Sequence, residues 1–163
     1  MDQPFQIRTG DEAHLLEQAR ALLGGQRDLI ANAANLSALL FYGLQQINWV
    51  GFYFLKGAEL VVGPFQGKPA CVTIPVGQGV CGTAAKSCQV QRVADVHAFD
   101  GHIACDIDSR SEMVVPLLSS DRVLGVLDLD SPVPDRFRAR DEELLVAIAD
   151  LFVRSSDWPS TGA

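Results

Sequence analysis

Positive charge is scarce in this sequence: 13 lysines and arginines stand against 20 aspartates and glutamates, for a formal net charge of -7 and a pI near 4.8. That scarcity removes the basic field that phosphate backbones and anionic lipid surfaces require, and with it nucleic acid and membranes as partners. Long apolar runs are missing too, since no segment approaches the roughly 18 residues of a membrane span. The amino terminus, Met1 to Arg8, has neither the basic start nor the apolar stretch of a secretory signal. These absences predict a cytoplasmic protein. A C-x-x-C spacing is also lacking among the four cysteines, Cys71, Cys81, Cys88 and Cys105, so a structural zinc site is not expected. In a reducing compartment a disulfide framework is not expected either, which leaves catalysis or packing as the uses of these thiols.

What is present fits a compact chain. Apolar residues make up 48% and charged residues 20% of 163 residues, enough to bury a core as one domain over residues 1–163. Thr9 to Glu12 matches a capping box, followed by Leu15, Leu16, Ala19, Leu22 and Leu23 at helical spacing until Gly24-Gly25. A second helix is predicted from Asp28 to Leu44 on the stripe Leu29, Ala33, Leu36, Leu40 and Leu44. Ile47 to Leu55 alternates as a strand, with Val50, Phe52 and Phe54 on a core face and Trp49, Gly51 and Tyr53 on the other. On that second face Gly51 leaves a gap between two large aromatics, open either to a ligand or to ordinary packing.

Glu59 to Phe65 and Cys71 to Pro75 read as further strands, joined by the loop Gln66 to Pro69. Gly77-Gln78-Gly79-Val80-Cys81-Gly82 spells G-x-G-x-x-G, but the surrounding pattern is an antiparallel meander with one short helix, Val80 to Ser87. A dinucleotide fingerprint needs a parallel βαβ unit, so the glycines offer instead helix-start N–H groups for an anion. A short strand, Val90 to Ala94, leads into a long loop, Asp95 to Arg110, and loops of this length in compact domains are usually functional. Glu112 to Leu118 and Val123 to Asp130 form a strand pair, Arg140 to Val153 a terminal helix, and Ser155 to Ala163 a frayed tail.

Three acids draw attention. Asp128 and Asp130 are two apart and share a strand face. With three residues unpaired at the turn, Glu112 lies opposite Asp128 on that same face. Such a group raises its own pKa values or attracts a cation; the plainer reading makes Asp128 and Asp130 the start of a solvated turn before Pro132. Cys105, between turn-forming residues in the long loop, is placed for reactivity, although free cysteines commonly serve as small hydrophobes. A Cys-His hydrolase would pair it with His97 or His102, and a thiol oxidoreductase would pair it with a resolving thiol, for which Cys71 and Cys81 stand at element ends.

Taken together, Asn48-Trp49-Val50-Gly51-Phe52-Tyr53, Gly63 to Lys68, Gly79 to Ala85, Gly101-His102-Ile103-Ala104-Cys105-Asp106, Ser111 to Pro116 and Gly125 to Pro132 resemble, in register, the free methionine-(R)-sulfoxide reductases, which are catalytic GAF domains. The resemblance implies an α/β (α+β) GAF-like fold, a six-stranded antiparallel sheet with helices packed on it, and a homodimer. It implies Cys105 as nucleophile, Cys71 as principal resolving cysteine and Cys81 as a third thiol able to enter a disulfide. Trp49 and Tyr53 would line the methyl-sulfur end of the substrate, while Glu112, Asp128 and Asp130 would hold its ammonium group and help protonate the sulfoxide oxygen. Thioredoxin would be the external reductant, with no metal, flavin or nucleotide cofactor. No role transfers to Cys88. The competing expectation is a non-catalytic GAF module that binds a small ligand and signals, which would not need thiols at both Cys71 and Cys105.

Overall fold

The computed structural model describes residue 10 and residues 12–160. Thr9 and Asp11 of the expected capping box lie outside the described residues. From Glu12 the chain makes a 3-10 turn and enters α1 (Leu15–Leu23), whose buried Leu15, Ala19 and Leu23 follow the helical spacing. α2 (Leu29–Gly43) begins at Asp28, whose carboxylate accepts the Ala31 N–H at 2.8 Å and so satisfies an otherwise orphaned helix donor. The chain continues through β1 (Trp49–Lys56), β2 (Glu59–Gly67), β3 (Thr73–Pro75), α3 (Gly79–Ser87), β4 (Gln91–Val93), β5 (Ser111–Ser119), β6 (Arg122–Ser131) and α4 (Ala139–Ser155).

The strands form one antiparallel sheet in the order β3-β2-β1-β6-β5-β4. Its two faces are chemically different. Val50, Phe52, Met113, Val115, Leu127 and Leu129 point toward α1, α2 and α4 and join a leucine-rich core. Trp49, Tyr53, Val114 and Val126 point the other way, toward α3 and the long loop. β1 shows the alternation cleanly, because successive side chains of a strand leave on opposite faces.

The β5–β6 hairpin departs from the expected register. Ser119 pairs with Arg122, so the turn has two residues, Ser120 and Asp121, with Ser120 at φ 55° in the left-handed region that such turns require. Leu118 then pairs with Val123 but Leu117 with Gly125, which leaves Leu124 as a bulge. Glu112 consequently stands opposite Asp130, and Asp128 opposite Val114, not Glu112 opposite Asp128. The discrepancy is two residues, an even number, so all three acids still share a face.

Two further expectations are corrected. Cys71 is not the first residue of the third strand; it precedes β3 by two residues. Nor is the chain frayed over residues 155–160, while the rest of that expected tail, residues 161–163, lies outside the described residues. Ser156 is buried and its hydroxyl accepts from Asn32 Nδ2 at 3.0 Å, Arg27 pairs with Asp157 at 2.7 Å, and Trp158 sits edge-on to Phe54 and Phe152. Apolar burial of the indole and these polar bonds close the base of the leucine core. Among the described residues no helix is long and apolar enough to cross a membrane.

Candidate active site

The pocket lies on the aromatic face of the sheet, about 530 Å³ including its mouth, between β1, β5 and β6 below, the start of α3 on one side and the long loop above. Its floor is aromatic and acidic. Trp49 stacks on Phe65 with centroids 5.2 Å apart, stands 5.9 Å from Tyr53, and donates its indole N–H to the Lys68 carbonyl at 3.1 Å. The expected gap over Gly51 is therefore closed by Trp49 itself: a Cβ at Gly51 would come within 2.5 Å of the indole and 2.4 Å of Phe65. Gly51 is needed so that the indole can lie flat there. The Tyr53 hydroxyl donates to the Cys71 carbonyl at 3.2 Å, tying the aromatic floor to the segment that carries that cysteine.

Glu112 and Asp128 are each only 6% exposed, and a carboxyl oxygen of each lies within 4.8 Å of the other. Burial pushes both carboxyls well above the ordinary range, helped for Glu112 by the charge on Asp130 and for Asp128 by that on Glu112. Asp130 is pushed up in the same way, by burial first and by Asp128 next. Burial and the Asp128 charge also raise the Tyr53 phenol, which stays neutral. Asp128 Oδ1 and Asp106 Oδ2 are buried without a hydrogen-bond partner. A desolvated acceptor left unpaired costs free energy, so such atoms point to a ligand that would satisfy them.

The long loop is built as a flap with a closed neck. Asp95 caps a 3-10 turn (Val96–Ala98) by accepting the His97 N–H, Val96 is buried, and its N–H donates to the Arg110 carbonyl at 2.8 Å. Arg110 N–H in turn donates to Ser131 at the end of β6. Within the flap Cys105 is joined to Cys71 by a disulfide, Cα to Cα 5.6 Å, across 34 residues of sequence. Lys68 adds an ionic tie beside it, reaching Asp108 and, at 3.4 Å, Asp106. Those hydrogen bonds, Asp108 first, raise the lysine pKa, but the exposure of Lys68 and Asp108 to solvent keeps the pair weak in free-energy terms.

The other sulfurs differ in kind. Cys81, in the first turn of α3, is buried and free, 4.0 Å from Glu112 Oε1, with its thiol pushed up by burial and then by Asp128. Cys88 is exposed at the end of α3 in a left-handed conformation, away from the acids. The G-x-G-x-x-G run folds as a tight turn into α3, with Gly77 N–H donating to the Gly82 carbonyl and Gly77 and Gly79 at positive φ. A Cβ at Gly82 would strike the Pro75 carbonyl at 2.5 Å, so these glycines serve close packing.

The structure thus gathers Cys71, Cys81, Cys105, Glu112, Asp128, Asp130, Trp49 and Tyr53 around one pocket. Sequence reasoning treated His102 only as a partner for sulfur. It is instead at the pocket rim with Nε2 3.7 Å from Glu112 Oε2, its pKa lowered by burial. His97 is exposed. Lys68 was also missed as a tie, although it sits three residues before Cys71 and its partner Asp106 directly follows Cys105, which was the available signal.

The GAF domain family matches residues 13–155 of the chain. The free methionine-R-sulfoxide reductase of Escherichia coli is 52% identical over 149 residues, covering 90% of each protein. The chain belongs to the GAF-domain free methionine-R-sulfoxide reductases. The solved fRMsr of Staphylococcus aureus in its reduced form superposes with TM-score 0.87 at 51% identity, over 92% of this chain and 97% of that one. The free methionine-R-sulfoxide reductase from Neisseria meningitidis, solved in complex with its substrate, gives 0.85 at 40% identity over 88% and 87%. The six-stranded antiparallel GAF architecture of these reductases is the one expected from the sequence.

Proposed function

We propose that this oxidoreductase reduces free methionine-R-sulfoxide to methionine with Cys105 as the attacking sulfur. The observation that carries the reading is the Cys71–Cys105 pair at the mouth of a pocket floored by Trp49, Tyr53 and three acids. Cys105 thiolate attacks the sulfoxide sulfur while a carboxyl of the Glu112–Asp128 pair, held protonated by burial, gives a proton to the sulfoxide oxygen. The oxygen passes to Cys105, which becomes a sulfenic acid as the methionine sulfur is reduced. Cys71 thiol then attacks that sulfur, water leaves, and the disulfide forms.

A dithiol donor, thioredoxin, returns both thiols, which places the cycle in the cytoplasm, and no resident metal, flavin or nucleotide takes part. The working unit is a homodimer, with Ile30 and Tyr42 of α2, more than half exposed, as apolar surface for a second copy. A ligand-sensing GAF module has no use for joined cysteines.

The acids read the substrate's free amine: its ammonium group would satisfy Asp128 Oδ1 and offset the like charges of Asp130 and its neighbours. Free (R)-methionine sulfoxide and its N-acetyl form are compared under identical turnover conditions. The N-acetyl compound is expected to lose roughly four orders of magnitude in kcat/KM, as for sites built to pair a polar group that is then absent. Comparable values for the two would overturn the amine reading.

A further inference from the structure

An ammonium ion makes hydrogen bonds and gains little from a sulfur atom, yet the buried end of the pocket is one sulfur and two carboxyls. Cys81 Sγ and one oxygen each from Glu112 and Asp128 lie within 4.8 Å of one another, all three residues buried. We propose that Cys81, Glu112 and Asp128 also form a Zn²⁺ site in the reduced protein, and that the metal occupies the place of the substrate's amine and so blocks the enzyme. The inference rests on the amine placement argued above.

The donor set selects the metal. Zn²⁺ takes Cys at about 2.3 Å and carboxylate oxygen at about 2.0 to 2.2 Å in a tetrahedron, which requires donor-to-donor edges of roughly 3.5 Å. The Cys81–Glu112 edge is 4.0 Å and all three donors lie within 4.8 Å of one another, so side-chain shifts of about half an ångström to somewhat over one ångström close the cluster onto an ion. Ca²⁺ and Mg²⁺ prefer six or more oxygens and have no preference for a sulfur. Asp128 Oδ1 has no hydrogen-bond partner and is buried, which supplies an already desolvated acceptor on a residue of the cluster that lines the pocket. Three protein donors leave the fourth position toward the pocket, where His102 stands at the rim beside Glu112. On binding, the Cys81 thiol releases its proton to solvent and the carboxyls release any they hold, as metal ligands must.

The test uses the full chain carrying Cys71→Ser and Cys105→Ser, kept reduced with a phosphine, so that the other pocket thiols cannot bind metal. Titration with Co²⁺ should give one equivalent with a thiolate-to-cobalt absorption band, and Zn²⁺ and free methionine sulfoxide should each remove it. Adding Cys81→Ser should abolish the band and weaken Zn²⁺ binding about a hundredfold, with Asp128→Asn as a second variant should the first fail to fold. A spectrum without sulfur bands, or Zn²⁺ affinity unmoved by these changes, overturns the site. Methionine sulfoxide that binds without displacing the metal overturns the shared location. Metal that binds as described to a protein showing no affinity for methionine sulfoxide supports the site and sinks the substrate reading instead.

Discussion

The two faces of one sheet follow opposite rules. On the leucine side the fully buried polar side chains that anchor helices, Asn32, Ser37 and Asp141, are each hydrogen-bonded. Asn32 donates to Gln26 and Ser155 carbonyls, Ser37 donates to Ala33 and Pro64 carbonyls, and Asp141 accepts from Arg136 and from the Arg138 N–H. On the pocket side Asp128 Oδ1 is unpaired and three acids crowd together. Leu127 and Asp128 are adjacent in β6, one fully buried in the core and the other in the pocket. The lesson is that stability and chemistry are separated here by a single peptide unit and a change of face, not by distance along the chain.

The largest effect expected is on the pocket side alone. Cys105→Ser should lose all reduction, including the first turnover, with little change in melting temperature once the reduced proteins are compared. Methionine release by that variant, measured at one equivalent, would remove Cys105 from its role. Next, Leu127→Ala should cost about 2 to 5 kcal/mol of stability, read by denaturant unfolding, while kcat/KM well below the melting temperature stays near that of the parent. A parallel loss of activity would show that the faces are not separable.

Trp49→Ala should then raise KM tenfold to a hundredfold, about 1 to 3 kcal/mol of lost apolar contact. Because its indole also holds the Lys68 carbonyl, a fall in kcat without a change in KM would mark it as a prop for the flap instead.

The smallest effect has the opposite sign. The Asp128 carboxyl is raised in the folded chain, so the folded state holds a proton that the unfolded state has already released. Stability therefore falls as pH climbs from the ordinary carboxylate range through the raised value, and the full cost is felt above it. Asp128→Asn should stabilise the substrate-free protein by about 1 kcal/mol at mildly alkaline pH, or roughly 2 to 4 °C in Tm, and bring almost no gain near pH 4. A Tm difference that does not vary with pH would show that the acids are not strained.

Much of this contrast was legible in the residues. The alternation of Trp49 to Phe54 announced two faces, and the spacing of Asp128 and Asp130 placed both on one of them. Helix bounds followed leucine spacing and, at Asp28, a cap. What was not legible required partners far along the chain. The 34-residue link from Cys71 to Cys105 came only from family resemblance, since the residues alone left Cys81 equally eligible. The ordered tail depended on Trp158 meeting Phe54 and Phe152, and the hairpin register on a bulge at Leu124 that no local signal marks.

That bulge makes the hairpin behave like a reading frame. A two-residue turn alone would set Glu112 against Leu129 and place core and pocket residues on the wrong sides; the single extra residue at Leu124 restores the phase. Deleting Leu124 would only make the ladder regular, with Leu117 still opposite Gly125 and Glu112 opposite Asp130, whereas deleting the paired Val126 would act as a frameshift in space, setting Asp128 against Val115 and Asp130 against Met113 on the leucine side. A single-residue change among the paired positions beyond the bulge therefore flips every side chain that follows, while a change of one at the bulge or the tip does not.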